Sequence, residues 1–278
     1  MGGGTLYVVA TPLGHLGDLS VRAAELFRSI PIVAAEDTRR TRTLLSHLGA
    51  RPRLLSYHAH SQSGAAQSIL TALRAGQDVA LVSDAGTPGI SDPGMALVAE
   101  VRSAGFSVVP LPGPSAVATA LSAAGLPADR YLFLGFLPRK GSERERLLAR
   151  IVQEEWTTVL FEAPGRVAEL LADLATRCEG SRRAVVAREL TKVHEEFRSG
   201  TLAELATAFA DEGPRGECTV VVEGAAALPD AGGLERGRAA ATRLLAAGIS
   251  RKETAALLSE LFGVPRNEAY KMTVTSDQ

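Results

Sequence analysis

A chain of 278 residues, 46% of them hydrophobic, is long enough for two domains of ordinary size, each with its own core. The formal net charge of −1 excludes a general electrostatic attraction to polyanions, so any surface for nucleic acid must be local. Two cysteines exclude a disulfide framework, and neither a signal peptide nor an apolar run of roughly 18 residues is present, so we expect a cytoplasmic protein with no membrane partner.

The first half of the chain predicts a parallel sheet, because strand-like apolar runs alternate with helical segments. Strands are expected at 6–10, 32–36, 53–60, 79–84 and 107–113. Helices are expected at 21–30 and 65–76, and Gly76 is a typical helix stop. Residues 112–127 then predict a turn, a helix that Ser115 caps, and a glycine–proline stop.

The second half predicts another α/β domain and a helical tail. A charged helix is expected at 139–155, and strands are expected at 131–138, 157–164, 183–191, 195–200 and 217–224. We therefore predict an N-terminal α/β domain at 5–117 and a C-terminal α/β domain at 118–225. After a linker of small residues at 225–234, a tail at 235–278 has a helix–turn–helix pattern, with a break at Gly263 and Pro265 and with Asn267 as the cap of its second helix.

The most informative string is LVSDAGTPGISDPG at residues 81–94. A strand that ends at a carboxylate, here Asp84, and opens into a loop rich in glycine and proline is typical of ligand sites in open α/β sheets. The glycines let the backbone lie against a ligand, and the prolines stiffen the loop before anything binds. The alternative is a tight connection in which Asp92 caps the next helix.

A second polar string, AEDTRRT, follows the second predicted strand at residues 35–41. Either Glu36 or Asp37 could act as a general base or bind a ligand hydroxyl, and the arginines could hold phosphate. Alternatively, Asp37 or Thr38 caps a helix and the arginines are solvated. The chain carries neither the glycine fingerprint of a dinucleotide site nor that of a P-loop.

Residues 38–77 contain no Asp or Glu, although the whole chain is nearly neutral. The cations there are Arg39, Arg40, Arg42, Arg51, Arg53 and Arg74, with His47, His58 and His60. A surface of one sign suits a polyanion, because contacts to phosphate supply much of the affinity for nucleic acid. Alternatively, these cations lie on separate faces. His58 and His60 share one face of a strand, but no third ligand follows at a convincing spacing, so we assign no metal site.

A third string, RELTKVHEEFRSG at residues 188–200, is also dense in polar groups. Glu189 and Lys192 could meet across a turn, where a lysine stabilises a developing alkoxide and a carboxylate accepts or relays the proton. The alternative is a surface strand pair with a solvated Lys192. Glu162 and Glu217 likewise stand at the ends of predicted strands, where ligands of open α/β sheets collect.

Together these strings resemble the tetrapyrrole-methylase-like, or class III, S-adenosylmethionine-dependent methyltransferases. Within that family they are most similar to bacterial members that methylate ribosomal RNA of the small subunit. The resemblance spans residues 6–224 in the family's order. It rests on LYVVATPLGHLGDLS, AEDTRRT, LVSDAGTPGISDPG, PGPSA, FLGFLPRK, FEAP with Arg166, RELTKVHEEFRSG and GECTVVVEG.

The resemblance implies transfer of a methyl group from S-adenosyl-L-methionine to the 2′-oxygen of a cytidine in 16S ribosomal RNA near the decoding centre. It also implies two α/β domains with the cofactor in the cleft between them, a homodimer, and the assembled small subunit as the partner. The residues that it implies as lining the cofactor are Asp84, Gly86, Thr87, Pro88, Gly89, Ile90, Ser115, Ala116 and Phe161. Lys192, with Glu189 or Asp37, would orient the hydroxyl and help to remove its proton. The side chains that would hold RNA are Arg39, Arg40, Arg42, Arg51 and Arg53.

Three positions depart from the family's pattern: His15 and Ser61 stand where asparagine is usual, and Gly165 stands where histidine is usual. We expect tolerated contacts at these positions and no catalytic role. Two other functions stay open at this point. One is a methyltransferase of the same fold that acts on carbon atoms of a tetrapyrrole precursor, and the other is a non-catalytic RNA-binding or ribosome-assembly factor, which need not bind S-adenosylmethionine.

Overall fold

The computed structural model describes residues 3–58, 62–178, 180–210, 216–225 and 231–274. The chain divides into two compact units, Met1–Gly224 and Ala225–Gln278. His60 and Ser61 lie outside the described residues, as does the part of the predicted linker at 226–230. Among the helices of the described ranges, none is long and apolar enough to cross a membrane.

The first five strands form a fully parallel sheet, as their alternation with helices predicts. These strands are β1 (Leu6–Val9), β2 (Ile32–Ala35), β3 (Arg53–Ser56), β4 (Val79–Val82) and β5 (Val108–Leu111). The helices between them are α1 (Val21–Ser29), α2 (Thr38–His47), α3 (Gln62–Arg74) and α4 (Met95–Ser103). The strand order is β3-β2-β4-β1-β5, and β2 and β4 are buried along their whole length because helices cover both faces.

Alternation of side chains along these strands builds a core on each face of the sheet. Leu6 and Leu81 point to one face, where they pack against α3 and α4. Val9 and Val82 point to the other face, where they pack against α1 and α2. The unit is therefore layered helix–sheet–helix, and the loops at the carboxyl ends of the strands are left as one open edge.

The next five strands form a second, mixed sheet. They are β6 (Tyr131–Phe136), β7 (Thr157–Glu162), β8 (Arg183–Arg188), β9 (Glu196–Thr201) and β10 (Cys218–Val222), in the order β6-β7-β10-β8-β9. Only β6 and β7 pair in parallel within this sheet. One face packs against α6 (Ser142–Gln153), α7 (Val167–Arg177) and α8 (Leu202–Ala208).

The other face of the second sheet is covered by α5 (Ala116–Ala124), which follows the last strand of the first sheet. Ser115 caps this helix by accepting a hydrogen bond from the backbone N–H of Ala118 at 3.5 Å, and the helix ends at Gly125 with φ +65°, both as predicted. The boundary expected between residues 117 and 118 falls inside α5 and stays a prediction.

The unit Ala225–Gln278 contains three described helices, α9 (Ala231–Ala246), α10 (Arg251–Phe262) and α11 (Arg266–Val274). Leu258 and Met272 belong to its small apolar core. Helix α9 begins four residues before the predicted start of the tail. The break at Gly263 is confirmed, but α11 begins at Arg266, directly after a proline, so the predicted cap at Asn267 is wrong.

Candidate active site

The loops that follow β1, β2, β4 and β5 are joined at the carboxyl edge of the first sheet. The backbones of Thr11 and Gly86 exchange two hydrogen bonds of 2.9 Å. The carboxylate of Asp84 accepts a hydrogen bond from the backbone N–H of Asp37 at 2.9 Å. The hydroxyl of Thr87 donates to the carbonyl of Pro114 at 3.1 Å. These bonds hold four loops as one preformed surface, where the topology of the sheet predicts a ligand site.

A cavity of about 380 Å³ is formed by the loops after β1, β4 and β5 together with the ends of β6 and β7 and the start of β10. Its volume is in the range of small-molecule sites. The predicted cofactor residues that line it are Asp84, Gly86, Thr87, Ile90, Ser115, Ala116 and Phe161. Pro88 and Gly89 belong to the same loop but are not part of the lining.

Most of the lining that the second sheet supplies is not among the residues predicted from the sequence. The further lining residues are Leu13, Ala85, Ser91, Asp92, Val117, Phe136, Glu162, Ala163, Pro164, Glu217, Cys218 and Thr219. The one signal in the sequence was position, since Glu162 and Glu217 stand at strand ends. That signal did not reveal that the ends of β7 and β10 face the loops of the first sheet.

Glu162 has an unsatisfied acceptor at this cavity. The residue is 1% exposed, and its Oε1 accepts a hydrogen bond from the backbone N–H of Ala163 at 2.8 Å. Its Oε2 accepts no hydrogen bond from any described residue. A guanidinium nitrogen of Arg166 lies 3.2 Å from Oε2, but that nitrogen donates to the carbonyls of Leu137 at 2.9 Å and Pro138 at 3.4 Å. Burial raises the pKa of Glu162.

Asp92 also faces the cavity. It does not cap α4, because the cap position is Gly94 and no side chain bonds there, so the alternative of a capping Asp92 is wrong. Burial raises the pKa of Asp92 to about 6, and a hydrogen bond from Ser83 opposes this shift. Three neighbouring carboxylates add to the rise, those of Glu36, Asp84 and Glu217.

Lys192 is held between two carboxylates. Its Nζ lies 2.9 Å from Oε1 of Glu189, as predicted, and 3.2 Å from Oε2 of Glu217, which lines the cavity. Burial by itself lowers the pKa of Lys192, but the hydrogen bonds to the two carboxylates outweigh it, and the pKa is raised. The hydrogen bond from Lys192 lowers the pKa of Glu189. At neutral pH, Lys192 is therefore an ammonium and Glu189 a carboxylate.

The backbone around Lys192 is strained. Glu189 has φ +50° and Thr191 has φ +64°, and within the described ranges the remaining non-glycine residue with positive φ is Ser91, a cavity residue with φ +61°. Such conformations persist where the surroundings enforce them, and they cluster at functional sites. The Thr191 hydroxyl accepts a hydrogen bond from the backbone N–H of His15 at 3.0 Å, which ties this segment to the loop after β1.

Two glycines make room for the Lys192 cluster. A Cβ added to Gly216, whose φ is +82°, would lie 2.1 Å from Oε1 of Glu189. A Cβ added to Gly14 would lie 2.3 Å from Cγ of Lys192. Only glycine fits at either position without moving the side chains that carry the charges.

Asp37 is confirmed as the cap of α2. Its carboxylate accepts a hydrogen bond from the backbone N–H of Arg39 at 2.8 Å, and the Arg39 guanidinium donates to it at 2.8 and 3.1 Å. Hydrogen bonds from Arg39 hold the pKa of Asp37 well below its usual range. A carboxylate so stabilised is a weak base at neutral pH.

The arginines predicted to hold RNA are all exposed. Arg39, Arg40 and Arg42 lie in the first turns of α2. Arg53 begins β3, an edge strand, and Arg51 lies two residues before it. The Arg40 guanidinium lies 3.7 Å from the Asp84 carboxylate, so this surface adjoins the cavity. Among the described residues, no three His, Cys, Asp or Glu side chains gather as they would around a metal ion.

Two of the departures from the family's pattern lie in described residues. The imidazole of His15 accepts a hydrogen bond from the backbone N–H of Gly17 at 3.1 Å. Gly165 lies in a short turn at Pro164–Arg166, with open space where a Cβ would be. Neither lines the cavity.

Comparison with known proteins identifies the sequence family. The model of the tetrapyrrole (corrin/porphyrin) methylases matches residues 5–206. A protein of Xylella fastidiosa (strain Temecula1), named ribosomal RNA small subunit methyltransferase I, is 48% identical over 96% of this chain and 98% of its own. A protein of Pseudomonas aeruginosa with the same name is 46% identical over 99% of this chain and 98% of its own.

Solved structures share the fold at low sequence identity. A cobalamin biosynthetic enzyme, cobalt precorrin-4 methyltransferase, has a TM-score of 0.63 and 17% identity, covering 79% of this chain and 94% of that chain. Uroporphyrin-III C-methyltransferase of Thermus thermophilus, solved with S-adenosylhomocysteine, has a TM-score of 0.58 and 19% identity, covering 79% and 97%. These matches establish the α/β architecture of the first unit.

Proposed function

The chain belongs to the tetrapyrrole (corrin/porphyrin) methylase family, and from that premise we propose that it is an S-adenosylmethionine-dependent methyltransferase of 16S ribosomal RNA. The name shared by the near-full-length relatives supports this substrate over a tetrapyrrole precursor and over a non-catalytic assembly factor. The structural observation that carries the proposal is a preformed cavity whose lining residue Glu217 accepts a hydrogen bond from the ammonium group of Lys192. The acceptor in the proposal is the 2′-oxygen of a cytidine near the decoding centre.

The cavity residues fit S-adenosylmethionine. The cofactor when bound supplies a methyl group on a positively charged sulfur. Phe136, Phe161 and Ile90 give the cavity apolar walls, and Asp84 and Asp92 place negative charge in it, which suits a cationic ligand. The unsatisfied oxygen of Glu162 offers an acceptor to a ligand donor. Pro88 and Gly89 shape the loop from behind in this proposal and do not contact the cofactor.

Lys192 acts in this proposal through its charge. A ribose hydroxyl is a poor nucleophile and becomes negative as its proton leaves. An ammonium that two carboxylates keep protonated stabilises that oxygen but does not take its proton. Glu189 fixes the position of Nζ, and Nζ also contacts Glu217, which lines the cavity although Lys192 itself does not. Asp37 holds the start of α2 and the Asp84 loop, and Asp92 is a cavity carboxyl whose pKa burial raises to about 6.

The surface of exposed arginines on α2 and β3 is proposed to hold the RNA backbone. Arg40 lies at the rim of the cavity through its contact with Asp84, so phosphates bound there would bring a ribose close to the cofactor. Arg39 pairs with Asp37 and Arg40 lies near Asp84, whereas Arg42, Arg51 and Arg53 belong to a stretch, residues 38–77, that contains no Asp or Glu. Contacts of this kind position the RNA without reading its sequence.

Four further points belong to the same proposal and rest on the family resemblance. They are a homodimer, the assembled small subunit as substrate, a cytoplasmic location, and domains at 5–117 and 118–225 that enclose the cofactor. The helical tail at 235–278 is proposed to help in gripping RNA or in packing. Sedimentation of the purified protein tests the homodimer, and a monomer at micromolar concentration would contradict it.

A panel of methyl acceptors tests the proposed function. Labelled S-adenosylmethionine is offered with small ribosomal subunits from cells that lack this enzyme, with protein-free 16S RNA, and with a tetrapyrrole precursor. We expect label in the RNA of the subunits and none in the tetrapyrrole. Label in the tetrapyrrole alone would show that the substrate is a tetrapyrrole precursor and not RNA. Absence of any cofactor binding would favour the non-catalytic factor.

A further inference from the structure

We propose that Glu162 recognises the adenine of the cofactor by accepting a hydrogen bond from its exocyclic amino group. The inference rests on the proposed function, since it assigns a role toward S-adenosylmethionine. In strand β7 the family resemblance implied Phe161, but not Glu162, as a cofactor contact. The assignment to Glu162 comes from its burial, its hydrogen bonding and its place in the cavity wall.

Oε2 of Glu162 is a buried acceptor with no donor among the described residues. The side chain of Glu162 has no exposed surface, and yet Oε2 accepts no hydrogen bond from any residue within the described ranges. Buried carboxylate oxygens in folded proteins nearly always have a donor, because an unmade hydrogen bond carries the full cost of desolvation. Since Glu162 lines the cavity, a ligand bound there can supply the missing donor.

The nearby cations do not fill that acceptor position. Arg166 lies 3.2 Å from Oε2 and compensates the charge, but its nitrogen donates to the carbonyls of Leu137 and Pro138, which use both of its hydrogens. Arg144 is buried in the same region and donates to the carboxylate of Asp173 at 2.6 Å. Glu162 is therefore kept in place by charge and by the bond from Ala163, with one lone-pair direction left for a ligand.

The aromatic residues beside Glu162 indicate a flat ring. Phe136 is 56% exposed, and its ring centroid lies 5.6 Å from that of Phe161. Phe161 and Glu162 are consecutive in β7, so their side chains leave the strand on opposite faces. A ligand that touches both must cross the end of the strand. A purine can do so with its face on the aromatic rings and its amino edge at Glu162.

Binding of two product analogues tests the inference without turnover. S-adenosylhomocysteine carries the amino group, whereas S-inosylhomocysteine has a carbonyl oxygen there, which would face the carboxylate and repel it. By calorimetry we expect the wild-type protein to prefer the adenosyl compound by about 10- to 100-fold, the range for a hydrogen bond to a charged acceptor. In Glu162→Gln the amide can donate to the carbonyl, so we expect the preference to fall to about threefold or less.

A matched control is Glu169→Gln. Glu169 also lies near Arg144, at 3.8 Å, but it is exposed and does not line the cavity, so the preference should stay at the wild-type value. Thermal melting of each variant reports folding. If Glu162→Gln does not fold, Glu162→Asp, which withdraws the carboxylate by one methylene group, takes its place, and an unchanged preference in that variant overturns the inference. A 3′-deoxyadenosyl analogue separates the base from the ribose.

The outcomes separate this inference from the proposed function. Equal affinity of wild-type protein for the adenosyl and inosyl compounds, with tight binding of both, overturns the role of Glu162 and leaves the methyltransferase intact. A large loss with the 3′-deoxy analogue and none with the inosyl analogue places Glu162 at the ribose and also overturns it. No binding of S-adenosylhomocysteine at all contradicts the proposed function itself.

Discussion

Lys192→Met is expected to slow methyl transfer on the order of 100-fold. The substitution removes the ammonium that lies 2.9 Å from Glu189 and 3.2 Å from Glu217. An ammonium at about 3 Å from a developing alkoxide contributes roughly 5 kcal/mol at an effective dielectric constant of about 20. Lys192 is partly exposed and its charge is shared with two carboxylates, which reduces the effect to about 3 kcal/mol, or on the order of 100-fold in rate.

Single-turnover transfer from labelled S-adenosylmethionine to unmodified small subunits measures this rate constant, and calorimetry measures cofactor affinity separately. Lys192→Arg is the matched control, because arginine keeps the charge but cannot release a proton in this pH range. We expect the arginine variant to recover at least about tenfold over the methionine variant. Since the pKa of Lys192 is raised, the wild-type rate should show no inflection from this group between neutral pH and about pH 10. An arginine variant as slow as the methionine variant, with both folded and binding cofactor, would refute a role through charge.

Three further predictions follow from the site and its surroundings. Gly216→Ala should lower the single-turnover rate about tenfold, because its methyl group meets the carboxylate that holds the catalytic ammonium. Gly49→Ala is its control, since Gly49 has a similar positive φ but open space around it, and this variant should lose only stability. An equal loss of rate in both variants would show that contact with Glu189 is not the cause. Asp92 has a folded-state pKa of about 6, above its ordinary value of 3.8, so its contribution to stability is present at low pH and is lost as pH rises through 6. In urea unfolding, the free energy of unfolding of Asp92→Asn should therefore rise by about 1 kcal/mol relative to that of the wild type between about pH 4 and pH 7. A difference between the two free energies that does not change with pH would contradict the raised pKa. Joint Arg40→Glu and Arg51→Glu should reduce the magnitude of the negative slope of log affinity for 16S RNA against log salt concentration by about 1.5. An unaltered slope would show that the RNA backbone does not bind at the arginines of α2 and β3.

The first sheet was predictable because its signals are local. Each strand is a short apolar run, and each helix between strands begins or ends at a residue with a known cap or stop, such as Ser20 or Gly76. The topology rule then placed the polar residues after the strands at one edge. The hydrogen bonds between Thr11 and Gly86 and between Asp37 and Asp84 confirm that expectation.

The far wall of the cavity was not predictable, because it depends on pairing between distant segments. The register of β7 and β10 sets Glu162 beside Cys218 and brings Glu217 next to Lys192, and no local pattern encodes that meeting. The strained turn before Lys192 was equally hidden, since Glu189 and Thr191 are not residues that favour positive φ.

Asp37 and Asp92 are two carboxylates for which the sequence left open whether they cap a helix or face a ligand. Either carboxylate could cap a helix or serve a ligand on sequence grounds. The Arg39 guanidinium and backbone bind Asp37 as a cap, whereas Gly94 takes the cap position of α4 and leaves Asp92 facing the cavity. The outcome in each case depended on the backbone path after the strand, which the residue types alone do not specify.

The position of the transferred methyl group tests the central claim most directly. Small subunits from cells lacking this enzyme are methylated with the purified protein and labelled S-adenosylmethionine, the RNA is digested to nucleosides, and the labelled nucleoside is identified by mass spectrometry. The account predicts one labelled cytidine with the methyl group on its ribose, at a rate that falls on the order of 100-fold in Lys192→Met. A methyl group on the base, or transfer to ribose that is as fast in Lys192→Met as in wild type, would contradict it.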